Sequence, residues 1–131
     1  MRLNQASTPE RAQILPQHET QIETGAMSYC VSVIVLSNWV NSSYTDMRGY
    51  HGSGGAFAID FESLFNGLRN EPQTQIYIFS GSSNNHPNDD PRTVAAVKES
   101  LAAARLSRVF TRHYHLVTNA VVTRSGIVTC S

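Results

Sequence analysis

Apolar residues in this chain gather into a few short runs set between long polar stretches. Tyr29-Cys-Val-Ser-Val-Ile-Val-Leu36 is β-branched with one small polar interruption, the pattern of a central strand. Ile76-Tyr-Ile-Phe79 is wholly apolar, as a strand buried on both faces would be. Ala56 to Ile59 predicts a second short strand. Phe61, Leu64, Phe65 and Leu68 recur at helical spacing, so a helix is expected over Asp60 to Arg69, with Asp60 as its N-cap and Asn70-Glu-Pro-Gln as its stop. Val94, Val97, Leu101 and Ala104 predict a helix over Thr93 to Leu106, capped by Asp89 or Asp90 with Pro91 near its first turn. Val109 to Val117, Ala120 to Thr123 and Gly126 to Cys130 read as strands. The polar and aromatic stretch Asn38 to His51 reads as a long loop, closed by Gly52-Ser-Gly-Gly55.

Residues 1 to 26 are rich in Gln, Glu, Thr and Pro, with Leu3, Ile14 and Leu15 among few large aliphatics. They read as a flexible leader ahead of a domain over 27–131. The alternation of strand and helix predicts an α/β fold: a single compact domain with a largely parallel central sheet flanked by helices.

Composition narrows the function without choosing it. The chain has 131 residues, with 40% hydrophobic and 15% charged, and ten basic residues balance ten acidic ones. No nucleic-acid or membrane-surface partner is therefore expected, since such binders carry a strong basic excess. Arg105, Arg108, Arg112 and Arg124 give the C-terminal part a local basic bias, read as a solvated face. No secretory apolar segment opens the sequence, and no run approaches a membrane span. A cytoplasmic setting follows, although a domain cut from a longer secreted effector would read the same way. Cys30 and Cys130 read as free buried thiols, with a disulfide between neighbouring strands as the alternative.

The candidate chemistry begins where the Ile76–Phe79 strand ends. In open α/β sheets, ligands bind beyond the carboxyl ends of strands. Here Ser80-Gly81-Ser82-Ser83-Asn84-Asn85-His86 offers hydroxyls, amides and an imidazole ahead of a helix N-terminus. A peptide or small-molecule ligand is expected at this loop, through Ser80, Gly81, Ser82, Ser83 and Asn84. It is neither a dinucleotide fingerprint nor a phosphate-binding loop. Cys130 closes the last apolar strand, and a thiol there with His86 would form a nucleophile and base pair. Together, Ile76-Tyr-Ile-Phe-Ser-Gly81 and Ile127-Val-Thr-Cys-Ser131 resemble the paired strand ends of caspase-like cysteine hydrolases. The His-Gly of that family is replaced here by Ser82-Ser83.

A second glycine-rich segment, Arg48-Gly-Tyr-His-Gly-Ser-Gly-Gly55, carries Tyr50-His51-Gly52-Ser53. This resembles the NAD-contacting Tyr-His-Gly entry of ADP-ribosyltransferase-like toxins, which implies NAD contact by His51 and Gly52. That family also uses a late glutamate, and no Glu follows Glu99. Trp39, Arg48, Gly49, Tyr50, Ala58, Ile59 and Phe61 also resemble the Trp…Arg-Gly-Tyr…Ala-Ile-x-Phe signature of a widespread prokaryotic domain. His113 and His115, two apart on a strand, would share a face and could chelate zinc with His86 or Asp89. The expectation is nonetheless no metal and no cofactor. Three functions remain: a small bacterial-type effector or toxin-like cysteine hydrolase using Cys130 with His86, an NAD-dependent ADP-ribosyltransferase-like domain around His51, or a non-catalytic binding domain, with a protein partner among its ligands.

Overall fold

Val31, Val33 and Val35 point to one side of their strand and Ser32, Ile34 and Leu36 to the other, and all six are buried. A strand of this kind needs a layer on each face, and the fold supplies both. The computed structural model describes residues 1–3, 13–28, 30–53, 58–81 and 89–131. In chain order the elements are β1 (Gln13–Ile14), β2 (Gln21–Glu23), β3 (Cys30–Val40) and β4 (Ser43–Ser53), then a 3-10 turn (Ala58–Phe61) running into α1 (Glu62–Phe65). They continue with β5 (Gln75–Gly81), α2 (Asp89–Ala103), β6 (Phe110–Val117), β7 (Ala120–Thr123) and β8 (Val128–Cys130).

Five strands form one sheet in the order β1-β4-β3-β5-β6, and β2-β7-β8 form a second. On one face of the large sheet, Val31, Val33, Val35, Tyr50, Ile76 and Ile78 pack against the helical layer through Phe61, Leu64, Phe65, Val97 and Leu101. On the other, Ile34, Leu36, Met47, Tyr77 and Phe79 pack against Leu3, Leu15, Ile22, Ala120 and Val122, the layer built around the small sheet.

This is not the expected α/β domain with a largely parallel sheet. Strand exceeds helix by more than two to one (47% against 18%), and both sheets contain antiparallel pairs. Within the large sheet β3 runs antiparallel to β4 and β5, and only β5–β6, joined through α2, runs parallel among the described residues. The physical reason is burial on both faces. It removes the polar alternation that ordinarily marks an antiparallel strand, so β3 and β5 read as members of a parallel sheet.

The stretch expected as a long loop is instead a hairpin. Asn41 and Ser42 take φ of 51° and 65° between the closing pair Val40 and Ser43, the backbone of a two-residue type I′ turn. Behind it Trp39 and Tyr44 meet edge-to-face at 4.8 Å, and Asn38 Nδ2 donates to Thr45 Oγ1 at 2.6 Å.

The helix expected over 60–69 is one α turn after the 3-10 segment. Gly67 leaves it at φ 74°. The Arg48 guanidinium covers the exposed carbonyls, donating to Leu64 and Asn66 at 3.3 and 2.7 Å while paired to Asp46 at 2.7 Å.

The described part of the expected leader is folded into the body. β1 pairs with β4, and β2 pairs with β7. Leu3, Leu15 and Ile22 are buried, and a Cβ at Gly49 would stand 2.5 Å from Leu3 Cδ2 and 2.6 Å from Ile22 Cδ1, so any larger residue there would push these side chains aside. Buried Arg124 ties the segment down. Its guanidinium donates to the carbonyls of Pro16, Glu19, Tyr44 and Thr45, joining the polar turn at 16–19 to β4. Among the described residues no helix is long and apolar enough to cross a membrane.

Candidate functional site

β5 and β6 are parallel neighbours, so their carboxyl ends lie side by side, and the chain leaving β5 leads to α2. Ser80 pairs with Val31 and therefore faces the helical layer. His113 pairs with Ile78 and faces the same way. The two residues meet: Ser80 Oγ and His113 Nε2 share a hydrogen bond of 2.6 Å. His115, two residues on, turns to the same face, and its ring centroid lies 3.9 Å from that of His113.

These three side chains grade from core to solvent. Ser80 is 2% exposed, His113 is half-buried and His115 is exposed. A slip in register between Phe79 and Gly81 loosens the ladder at the strand ends, with Leu116 at φ 56°. Gly81 is required there, because a Cβ would fall on the carbonyl of Ser28. The arrangement offers a hydroxyl and imidazole nitrogens at one strand end, which suits hydrogen bonding to a carboxylate or phosphate oxygen.

Of the residues expected to bind, Ser80 and Gly81 are at this end of β5. Gly52 lies in the same row, since Val31 pairs with both Gly52 and Ser80. Ser82, Ser83, Asn84 and His86 lie outside the described residues. His51 is elsewhere. It pairs with Ser32, faces the small sheet and is buried, on the opposite side of the large sheet from Ser80.

Cys130 is also on that opposite side. It lies on β8, the outer strand of the small sheet, and pairs with Ala120 of the central β7. Partial desolvation pushes its thiol up from the ordinary range, and the charge pulling it back is the Arg112 guanidinium rather than an imidazole. Cys30 and Cys130 are free thiols but not the buried pair expected, since Cys30 is half-buried and Cys130 is exposed at the outer strand. Among the described residues no group of three or more His, Cys, Asp or Glu side chains is placed to hold a metal ion.

The partner that sequence reasoning did not give to Ser80 is His113. Strand period puts His113 and His115 on one face, but only the parallel pairing of β5 with β6 sets that face beside Ser80. No protein-family model matches this chain, and no curated protein matches it either, so the site has to be read from its own chemistry.

Proposed function

We propose that this chain is a non-catalytic binding domain that takes a small ligand carrying a carboxylate or phosphate at the carboxyl ends of β5 and β6. The observation that carries this reading is the 2.6 Å hydrogen bond between Ser80 and His113, with the His115 ring centred 3.9 Å outward from that of His113. Ser80 holds the inner imidazole in a fixed orientation, and the exposed ring beside it meets the ligand first. The position is also favourable, since the strand ends precede a helix.

The competing readings have less support. A thiol hydrolase needs a lowered thiol pKa and a nearby imidazole, whereas partial desolvation raises that of Cys130 and Arg112 is the charge acting on it. An NAD site around His51 needs an open imidazole, and His51 is 3% exposed.

A thermal-shift panel of phosphate, sulfate, small dicarboxylates and mononucleotides tests the proposal. At least one compound should raise the midpoint in a dose-dependent way, and the gain should vanish in His113→Ala and shrink in His115→Ala. A panel without effect, or a gain that survives both substitutions, refutes the proposed site.

A further inference from the structure

β6 is the outermost strand of the large sheet among the described residues, and Phe110 to Arg112 at its start are exposed. Phe110 donates its N–H inward, to the Thr74 carbonyl at 2.9 Å. In a strand successive residues alternate in the direction of their backbone groups, so Thr111 turns its N–H and C=O outward, away from β5. No proline interrupts this edge, and its one fully charged side chain, Arg112, lies over the Tyr114 ring at 4.6 Å.

A groove of about 530 Å³ runs beside this edge, between β6 and the last turns of α2. Leu101, Leu106 and Val109 make its apolar floor, Thr111 stands at its β6 side, and Lys98 and Arg105 stand on its rim. The rim is positive without compensation from nearby sequence. From residue 100 to 131 the chain has four arginines and no Asp or Glu, and Glu99 lines a different cavity, one shared with α1.

The conformation of Arg105 is a second, independent observation. It lies at φ 59°, and the next residue, Leu106, donates its N–H back to Leu101 at 2.9 Å, closing α2 in the manner that usually requires glycine. An arginine is held there at a conformational cost, and what it adds is a cation on the groove.

We infer that β6 and this groove accept an extended acidic peptide, which adds as a further strand beside β6. One aliphatic side chain would settle on the apolar floor, with glutamate or aspartate on either side of it opposite Lys98 and Arg105. Backbone pairing would supply affinity and the groove would select the sequence. The surface lies at the start of β6, two residues before His113, but it draws on the outward backbone of Thr111 and the rim of α2 rather than on the Ser80–His113 hydrogen bond, so either proposal can fail without the other.

The probe is a fluorescein-labelled peptide with threonine at alternate positions and glutamate, valine and glutamate at the positions between, read by fluorescence anisotropy. Saturable binding is expected, weakened at least about tenfold by the Lys98→Glu, Arg105→Glu double substitution. Thr111→Pro should also abolish it, because proline removes an outward N–H that the ladder to β5 does not use. The same peptide N-methylated at alternate amides, offered to the unaltered protein, should fail to bind and covers the case in which the proline variant does not fold. No binding, equal binding of a lysine-for-glutamate peptide, or undiminished binding of the N-methylated peptide would each overturn the inference. So would sedimentation showing that a second copy of the chain occupies the edge, as a dimer lost in Thr111→Pro.

Discussion

Ile22 sits on a three-residue strand in a segment whose composition reads as disordered, yet it has no exposed surface and lies over Gly49 in the layer between the two sheets. Replacing it with alanine removes buried methyl and methylene groups and leaves a cavity roofed by β2. Such changes cost about 2–5 kcal/mol. A central value of about 3 kcal/mol corresponds to roughly 10 °C in the thermal midpoint of a chain this size. Ile14 is the control. It is an isoleucine in the same segment but 64% exposed, and Ile14→Ala should stay within about 0.5 kcal/mol of the parent. Deleting residues 1–26 removes Leu3, Leu15 and Ile22 together, roughly 4.5–9 kcal/mol of apolar burial at about 1.5–3 kcal/mol each. It also exposes their partners on β4 and β7. That loss approaches the whole stability of an ordinary domain, about 5–15 kcal/mol, so the truncated chain should not unfold cooperatively. Urea titration followed by far-ultraviolet circular dichroism measures all three variants. If the truncated chain keeps a cooperative transition near the parental midpoint, or Ile22→Ala costs less than about 1 kcal/mol, the N-terminal segment is not part of the core.

Arg124→Lys should cost about 2 kcal/mol in the same titration, because an ammonium cannot reach four carbonyls spread over Pro16, Glu19, Tyr44 and Thr45; an unchanged midpoint would show that the fork is not needed. Arg105→Gly should raise stability by up to about 1 kcal/mol by relieving the positive φ, less whatever the freer unfolded chain takes back, and a loss would show that Arg105 makes a stabilising contact of its own. Cys130 should react with iodoacetamide more slowly than free cysteine at neutral pH, and Arg112→Gln should slow it further by removing the cation that lowers its pKa. Faster alkylation in that variant would show that Arg112 shields the thiol rather than activating it.

The parts of the fold most legible in the sequence are those in which local pattern and burial agree. The runs at 30–36 and 76–79 lie within β3 and β5, the periodicity of Val94, Val97 and Leu101 lies on α2, and Ala120 to Thr123 is β7. Pairing direction was not legible, because a strand covered on both faces has the same composition whichever way its neighbours run. The β3–β4 hairpin was hidden by its turn. Asn41-Ser42 adopts the geometry usually signalled by Asn-Gly, so nothing punctuated the stretch from Asn38 to His51. The N-terminal segment was hidden by sparseness, since Ile22 stands in no apolar run and is buried by residues about a hundred positions later. At the candidate site, Ser80 was visible as the end of a strand. Its contact with His113 depends on the crossover through α2, which no local pattern encodes.

β2 also has a bearing on how the chain is made. Its only ladder partner among the described residues is β7, in which Thr123, Val122 and Val121 stand opposite Gln21, Ile22 and Glu23. A ribosome adding about 5–20 residues per second takes some 5–20 s to travel from one strand to the other. Throughout that interval Ile22 has neither its ladder nor Val122 above it, while the β3–β4 hairpin, whose contacts are local, can already pair. The nascent β3–β4 hairpin therefore spends seconds without the layer that β7 brings over Ile34, Leu36 and Met47, and that apolar face is where a chaperone would be expected to hold the chain.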